Sequence, residues 1–362
     1  MVSSPFSSLA PIPAPSVILV GCGAVSRLFY QPALRELSRR GELTVAALVD
    51  PAEPARRELG AAFPSAVMVR SLEEVNLPAD ALAIIASPPR FHAAHSHAAL
   101  ERGWHVLCEK PMASTPAECA RMTDAARCAH RLLAVGLYKR FFPSSAVLRE
   151  LCRGQVLGPL LSFDVHEGGP FRWPAATPSF FSRAETPGGV LLDLGVHVLD
   201  LLLWWLGDPT LIEYVDDAAG GLEANAVIRL GYPSGATGRV QLSRDWATRQ
   251  RYQFAFQNGS IEWTVNDANG LSLTLHGLPS SLRGMLLDPA SLPTLTNPQC
   301  FIAQLQNVLA AMRGGFAPLV TGEDGTRVMR LIATCYARRE WLEQPWLGAD
   351  ETARAREHAL LP

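Results

Sequence analysis

The feature that most constrains this chain is a strand, a glycine turn and a helix in direct succession. The aliphatic run Val17–Val20 leads into Gly21-Cys22-Gly23-Ala24-Val25-Ser26 and then a helical stretch, Val25–Arg39. Glycines allow a tight turn and close approach of a ligand, and the helix N-terminus attracts pyrophosphate. This order predicts the first unit of a dinucleotide-binding fold, although Ser26 replaces the third glycine. The cofactor-binding candidates here are Gly21, Gly23, Ala24 and Val25.

Short apolar runs and helical stretches alternate up to about residue 140. Apolar strands joined by helices are typical of a parallel sheet covered on both faces, so we predict an α/β fold that begins with a Rossmann domain. Strands are predicted at Val17–Val20, Leu43–Val49, Ala81–Ala86, Trp104–Leu107 and Leu132–Val135, and helices at Val25–Arg39, Pro54–Ala61, Phe91–Arg102 and Thr115–His130.

The pattern changes after Arg140. A helix at Ser144–Arg153 and a strand at Leu160–His166 precede a Pro- and aromatic-rich loop, 168–187, and a strongly apolar helix, Gly188–Leu206. Alternating strands with turn residues between them then predict an α+β domain with an open, mostly antiparallel sheet. These strands are predicted at Ala224–Tyr232, Ala236–Trp246, Gln250–Phe256, Ser260–Val265 and Leu271–Leu275, and two closing helices at Gln299–Arg313 and Glu323–Trp341.

Length and charge indicate two domains and a small-molecule ligand. A chain of 362 residues is too long for one ordinary core. The net charge of −2 argues against a nucleic acid or an anionic membrane as a partner. We divide the chain into a disordered leader (1–15), a Rossmann domain (16–140), an α+β domain (141–345) and a C-terminal tail (346–362).

Cysteine usage and the N-terminal segment predict a cytoplasmic protein. The seven cysteines are odd in number, scattered and never spaced as C-x-x-C, which is typical of reduced thiols. The Ser- and Pro-rich N-terminus has neither the basic start nor the apolar core of a signal peptide. The sequence also has no apolar run of about 18 residues, the length that a membrane span needs.

The second predicted strand ends at Asp50. A carboxylate there suits the hydroxyls of an adenosine ribose and repels a 2′-phosphate, which favours NAD as the cofactor without excluding NADP. Arg56 and Arg57 lie in the next helix, and this placement makes them poorer partners for a phosphate.

Ser87-Pro88-Pro89 follows the strand Ala81–Ala86, at the edge where open α/β sheets bind ligands. The spacing of His92, His95 and His97 resembles a metal site, but no carboxylate joins them and we predict no metal. We place His95 and His97 on a solvated helix face. Ser87, Pro88 and His92 are candidates for the cofactor pocket.

Asp193, His197 and Asp200 fall on one face of the apolar helix because they are four and seven residues apart. Burying them is costly unless each has a partner or a ligand. For Asp200 we favour a structural role. Lys110, which follows a strand of the first domain, is a group that could reach Asp193 and His197. Together with the nucleotide site, these groups indicate hydride transfer at a C–O centre.

Several sequence motifs together resemble those of the Gfo/Idh/MocA oxidoreductases. They are the glycine turn, His105-Val106-Leu107-Cys108-Glu109-Lys110-Pro111, the pattern G-G-x-x-x-D-x-G-x-H-x-x-D from Gly188 to Asp200, and Thr321-Gly322-Glu323-Asp324-Gly325. The resemblance covers about Val17 to Trp341. It implies a Rossmann domain followed by an α/β domain whose open sheet often serves oligomerisation, and hence a homodimer or homotetramer.

The resemblance also implies roles by position. Lys110 would contact the reacting oxygen and the nicotinamide ribose, His197 would be the general acid/base, and Asp193 would orient both. Glu109 would line the cofactor site. A neutral imidazole suits proton exchange with an alcohol, and an ammonium stabilises a developing alkoxide. The sequence leaves open which of Lys110 and His197 finally holds the proton.

In the segment where this family usually has an Asn- or Arg-rich motif before Phe, this chain has Tyr138-Lys139-Arg140-Phe141. Tyr138 and Lys139 are therefore substrate-pocket candidates, whereas Arg140 is also interpretable as a structural ion-pair partner. His166, Arg172 and Trp173 are further candidates, because an aromatic ring beside polar donors suits a sugar or polyol. Plain surface packing is the alternative for the loop that carries Arg172 and Trp173.

We predict an NAD(P)-dependent dehydrogenase or reductase acting on a secondary alcohol or ketone of a sugar, sugar derivative or cyclitol. The substrate class rests on the resemblance. Three alternatives remain: a non-catalytic NAD(P)-binding regulator, a glycosidase that uses tightly held NAD, and a reductase of an unsaturated or pyrrole-type substrate.

Overall fold

A computed structural model describes residues 14–174, 181–219, 221–277, 281–285, 297–343 and 348–359. The first lobe is a six-stranded, all-parallel sheet in the order β3-β2-β1-β4-β5-β6, as predicted for a Rossmann domain. Its strands are β1 (Ser16–Val20), β2 (Thr44–Val49), β3 (Val67–Val69), β4 (Leu82–Ile85), β5 (His105–Cys108) and β6 (Leu133–Val135).

Helices follow the strands of the first lobe in the predicted places. The first begins with a π-helical turn, Ser26–Tyr30, and continues as α1 (Gln31–Arg39). The Thr115 hydroxyl and the Glu118 side chain form a capping box at the start of the helix Pro116–Cys128. This box satisfies backbone N–H groups that have no partner within the helix. The other helices of this lobe are α2 (Glu53–Gly60), α3 (His92–Glu101) and α4 (Pro116–Cys128).

The second lobe contains a nine-stranded sheet in the order β14-β13-β12-β11-β7-β10-β9-β8-β15. The sheet is mostly antiparallel, as predicted, but β10 pairs in parallel with β7 and β15 with β8. The strands are β7 (Leu160–Gly168), β8 (Leu211–Asp216), β9 (Asn225–Gly231), β10 (Thr237–Ser243), β11 (Arg251–Phe256), β12 (Gly259–Thr264), β13 (Gly270–Leu275), β14 (Ser281–Met285) and β15 (Arg339–Trp341).

Five further helices complete the described chain segments. They are α5 (Pro143–Arg153), α6 (Val196–Leu206), α7 (Asn297–Gly314), α8 (Gly322–Ala337) and α9 (Ala349–Ala359). A π-helical turn at Leu191–Gly195 leads into α6. The predicted helix Glu323–Trp341 is too long, because α8 ends at Ala337 and Arg339–Trp341 pairs with β8 instead. Helix α9 lies in the segment predicted as a tail, and the first thirteen residues of the predicted leader lie outside the described residues.

Helix α6 fills the space under the second sheet, and α7 returns to the first lobe. Trp205 of α6 packs edge-on against Tyr252 and Trp263 of the sheet. In α7, Phe301 and Leu305 share one buried apolar cluster with β1, α1 and β2. Helix α7, which comes late in the sequence, therefore completes the apolar layer that packs on the first sheet. Within the described segments, no helix is both long and apolar enough to cross a membrane.

Candidate active site between the two lobes

The glycine turn has the geometry that close approach of a ligand requires. Gly21 has a φ of +94°, and a Cβ there would lie 2.5 Å from the Ala86 carbonyl oxygen. A Cβ on Gly23 would meet nothing within 4 Å, so the turn faces open space at this point. The Ser26 hydroxyl, which is fully buried, donates to the Gly21 carbonyl at 2.6 Å. Serine in the third glycine position therefore stabilises the turn.

Ala24 and Val25 form the half-buried start of the helix after this turn, and Asp50 lies beside it. The two carboxylate oxygens of Asp50 accept hydrogen bonds of 2.8 Å from the backbone N–H groups of Cys22 and Ala52. Arg56 also donates to the Asp50 carbonyl. The Arg56 guanidinium therefore lies at the end of β2 although the residue belongs to the next helix. The open turn, the helix N-terminus and Asp50 together fit a dinucleotide.

Two residues predicted for the cofactor pocket, His92 and Glu109, have side chains that are almost fully buried. His92 is 1% exposed, and its ring nitrogens lie 2.7 Å from the Ser87 carbonyl and 2.8 Å from the Pro111 carbonyl. Burial lowers the pKa of His92 to about 4, so the ring is neutral and its one N–H donates to only one of these two carbonyls at a time. Ser87 is half-buried and Pro88 exposed at this edge. His95 bonds the Ser87 hydroxyl at 2.9 Å, which corrects its placement on a solvated face.

Glu109 is the second of these buried residues. Its carboxylate is 6% exposed and accepts a 2.7 Å hydrogen bond from the Tyr30 hydroxyl and a 3.1 Å bond from the Lys110 backbone N–H. Burial raises the pKa of this carboxyl. Glu109 therefore connects the helix after the glycine turn to the backbone of Lys110, and its place along the cofactor site stays a prediction.

Lys110 and Asp193 meet across the two lobes. The Lys110 ammonium lies 2.9 Å from the Asp193 carboxylate and 3.0 Å from its carbonyl oxygen, and both side chains are about one-fifth exposed. The predicted pairing of the strand-end lysine with the apolar helix is therefore present. Arg244, which directly follows β10, lies 3.5 Å from the other carboxylate oxygen of Asp193 and was not predicted from the sequence.

His197 lies one turn further along the same helix and is 5% exposed. Its ring packs edge-on against Tyr138, with ring centroids 5.2 Å apart. Within the described chain, the Nδ1 atom has no hydrogen-bond partner. Burial lowers the pKa of His197 well below its usual range, and the ammonium groups of Lys110 and Lys139 lower it further. His197 is therefore a neutral imidazole with capacity to exchange a proton.

Lys139 and Glu167 form a buried ion pair at the base of the site. The Lys139 ammonium lies 2.5 Å from one Glu167 oxygen, and the Tyr252 hydroxyl donates to the other at 2.6 Å. Lys139 was predicted as a substrate contact, but it is 3% exposed and its charge is engaged by Glu167. Side chains alternate along β7, so Phe163, Val165 and Glu167 all face the core.

His166 has the opposite orientation on β7. Its ring bonds Asp164 at 2.7 Å on the outer face of the sheet, away from Lys139 and His197. His166 therefore lies on the opposite face of β7 from Glu167, and its role in the substrate pocket stays a prediction. Arg172 is exposed, and Trp173 stacks at 6.1 Å on Phe29 of the first lobe rather than against His197.

The structure explains why two glycines, Gly188 and Gly189, precede the apolar helix. A Cβ on Gly188 would collide with the Tyr336 hydroxyl, and one on Gly189 with the backbone of Glu223. The Glu223 carboxylate accepts bonds from the Gly189 and Leu191 N–H groups, at 2.8 and 3.1 Å. It thereby caps the helix that carries Asp193 and His197.

Asp200 and Arg140 have the structural role that the sequence suggested. The Arg140 guanidinium binds both oxygens of Asp200, at 2.6 and 3.0 Å, and reaches Asp324 at 3.1 Å. Asp324 caps α8, so this buried network connects α6, α8 and the turn after β6.

Comparison with known proteins gives two family matches. The model of an oxidoreductase family with an NAD-binding Rossmann fold matches residues 16–137, and the model of the GFO/IDH/MocA C-terminal domain matches residues 146–262.

Characterised relatives include several dehydrogenases. D-xylose 1-dehydrogenase (NADP(+)) 2 of Haloferax volcanii is 28% identical over 256 residues, covering 70% of this chain and 76% of that protein. Scyllo-inositol 2-dehydrogenase (NADP(+)) of Bacillus subtilis is 25% identical over 87% of this chain and 90% of its own length. D-glucoside 3-dehydrogenase of Escherichia coli is 36% identical, but over only 35% of this chain and 36% of its own length.

Solved structures agree in fold. Levoglucosan dehydrogenase, in complex with NADH and levoglucosan, has a TM-score of 0.79 at 18% identity, covering 90% of this chain and 97% of that chain. Aldose-aldose oxidoreductase from Caulobacter crescentus, complexed with glycerol, has a TM-score of 0.76 at 24% identity, with the same coverage of both chains.

Proposed function

Because this chain belongs to the Gfo/Idh/MocA family of oxidoreductases, we propose that it is an NAD(P)-dependent enzyme acting on CH–OH groups. It transfers a hydride to or from a secondary alcohol or ketone of a sugar, sugar derivative or cyclitol. The observation that carries the proposal is the 2.9 Å contact of Lys110 with Asp193, one helical turn before the neutral His197. The dehydrogenases named above support the substrate class.

In the proposed mechanism, one side chain transfers the proton and another stabilises the charge on the oxygen. A bound nicotinamide supplies or accepts the hydride. During oxidation, His197 takes the hydroxyl proton, because burial keeps its imidazole neutral and a neutral imidazole can accept a proton. The Lys110 ammonium stabilises the negative charge that develops on the oxygen. Asp193 holds that ammonium in place through its 2.9 Å contact.

A panel of sugars, cyclitols and their keto forms, followed by NAD(P)H absorbance, tests this proposal. Cofactor-dependent turnover of at least one member is expected. Cofactor binding without turnover on the whole panel would favour the regulator, and cleavage of glycosides without added NAD would favour the glycosidase. No turnover on this panel, together with NAD(P)H consumption on unsaturated or pyrrole-type compounds assayed beside it, would favour the third alternative.

Asp50 is expected to set the preference for NAD. Replacing it with alanine removes the carboxylate that repels a 2′-phosphate and leaves Arg56 at the end of β2 to attract one. We expect the ratio of kcat/KM for NAD to that for NADP to fall by about tenfold, equivalent to about 1.4 kcal/mol. Glu58→Ala, which removes an exposed carboxylate paired with Arg27, is the control. An unchanged ratio in Asp50→Ala would assign the discrimination to other residues.

A homodimer or homotetramer is proposed, with the outer face of the second sheet as the contact. Supporting this, the face carries half-buried residues such as Asp164, Gln253 and Ser272 around a cavity of about 530 Å³. We expect sedimentation velocity to give at least twice the monomer mass of 39.2 kDa. A monomer at micromolar concentration would contradict this assignment. The seven free cysteines support a reducing, cytoplasmic location.

A further inference from the structure

Two parts of the second lobe contact the first lobe near the proposed cofactor site. The Trp173 ring stacks on Phe29, with ring centroids 6.1 Å apart and planes 13° from parallel. The Glu185 carboxylate lies 2.9 Å from the Arg90 guanidinium. Phe29 belongs to the π-helical turn that follows the glycine turn, and Arg90 to a 3-10 turn, Pro89–Phe91, that follows β4. Both contacts therefore lie at the edge of the first sheet where the strands end and the next helices begin.

The two contacts lie on opposite faces of the first sheet. Helix α1, which follows Phe29, shares one buried apolar cluster with Leu19 of β1, and α3, which follows Arg90, shares the other with Val20. The strand order reverses between β1 and β4, because β2 and β3 lie to one side and β5 and β6 to the other. Open α/β folds bind dinucleotides in the crevice at such a reversal. A dinucleotide bound there therefore has one contact on each side.

The two parts of the second lobe are also held to each other. The Phe171 and Phe181 rings pack edge-on with centroids 4.8 Å apart, and the Arg244 guanidinium lies 5.6 and 5.9 Å from their centroids. The Phe171 N–H donates to the Arg244 carbonyl at 2.8 Å. Residues 168–174 and 181–187, which we call the clamp segments, are thus joined to the second lobe at one place while they contact the first lobe at two.

Neither contact with the first lobe is strong. The Arg90 and Glu185 side chains are 43% and 36% exposed, and exposed ion pairs contribute little to stability. A stacked aromatic pair adds only modestly to the burial of its rings. Contacts of this strength can open and close while both lobes stay folded. A segment that obstructs a cleft slows entry and exit of a ligand alike, whereas a direct contact with the ligand slows its exit alone.

We propose that the clamp segments retain the dinucleotide: the Trp173 and Glu185 contacts have to open before the cofactor can enter or leave its site. The inference deepens the proposed function, on which it rests for the identity of the bound dinucleotide. Its test needs no sugar substrate, because only binding and release of the cofactor are measured.

The test is stopped-flow fluorescence of NADH or NADPH, whichever binds more tightly, mixed with the full-length protein and then displaced by excess oxidised cofactor. The nicotinamide is excited directly, so that the loss of a tryptophan does not change the signal. Trp173→Ala removes the stacked ring. We expect the association and release rate constants to rise together by about fivefold, with a dissociation constant within about twofold of the wild type.

Two charge-removing variants separate the clamp from a simple effect of charge on the anionic dinucleotide. If Glu185 acted only through its charge, Glu185→Gln would slow cofactor release, because it removes a repelling carboxylate. The clamp predicts a release about twofold faster. If Arg90 acted only through its charge, Arg90→Gln would slow association, whereas the clamp predicts an association about twofold faster. Both side chains are partly exposed, so these variants test the inference even if Trp173→Ala does not fold.

Arg327→Ala is the matched control. Arg327 pairs with Asp208 at 2.8 Å, is similarly exposed and lies wholly within the second lobe, so both rate constants should match those of the wild type. The inference is overturned if Trp173→Ala leaves both rate constants unchanged or raises the release rate alone. Slower release in Glu185→Gln or slower association in Arg90→Gln would also overturn it. Absence of turnover on the substrate panel, with the cofactor rates changed as expected, would contradict the proposed function alone.

Discussion

Replacing Lys110 with alanine is expected to lower kcat by about a hundredfold or more, the usual cost of losing electrostatic assistance at a reacting oxygen. The Lys110 ammonium lies 2.9 Å from Asp193 and enters the site from the end of β5. The variant leaves Asp193 without its nearest cation, although Arg244 remains 3.5 Å from its second oxygen. The measurement is steady-state kcat with the best substrate of the panel, together with the melting temperature.

The matched control for this variant is Arg127→Ala. Arg127 also pairs with a carboxylate, Asp124 at 2.7 Å, but the pair is two-thirds exposed on α4. Exposed ion pairs contribute little, so activity and stability should stay close to those of the wild type. Turnover of Lys110→Ala at the wild-type rate, with the fold intact, would remove Lys110 from the reaction.

His197→Ala is expected to produce a loss of similar size, about a hundredfold or more in kcat, because it removes the group proposed to take the hydroxyl proton. The imidazole is buried against Tyr138, so alanine also leaves a cavity. For this reason the measurement pairs kcat with cofactor affinity by fluorescence. An unchanged cofactor affinity with a low kcat would assign the loss to proton transfer.

His276→Ala is the control for the second variant. His276 is exposed at the end of β13, and its ring bonds the Gln257 carbonyl at 3.0 Å. Its replacement should leave kcat unchanged. Rescue of His197→Ala by added imidazole would support the proton-transfer role further. Near wild-type kcat in His197→Ala would falsify the assignment of the acid/base.

The long, regular elements of the fold were predictable from the sequence. Each buried parallel strand of the first lobe is a continuous apolar run, and Ser16–Val20 and Thr44–Val49 match their predictions to within a residue. The strands that were missed are β3, β8, β14 and β15. Two of them, Val67–Val69 and Arg339–Trp341, have three residues each and depend on pairing with a neighbour rather than on their own pattern.

Within the site, the contact between the lysine at a strand end and the aspartate on a helix face was predictable. The face of the strand to which a side chain belongs was not predicted correctly. Lys110 and Asp193 were paired correctly because a strand end and a helix face constrain both. The sequence analysis named His166 and did not consider Glu167, although the apolar Phe163 and Val165 show that the odd-numbered side chains of β7 face the core. That alternation was the available signal for Glu167. Arg244 gave no such signal, because its position depends on where β10 ends against Asp193.

The return of α7 to the first lobe has a consequence for biosynthesis. Phe301 and Leu305 complete an apolar layer whose other members belong to β1, α1 and β2. On the ribosome, those earlier elements emerge long before Asn297–Gly314 is translated. Until α7 is synthesised, the nascent first lobe leaves part of its apolar surface exposed to water, and we expect chaperones to bind this surface during synthesis.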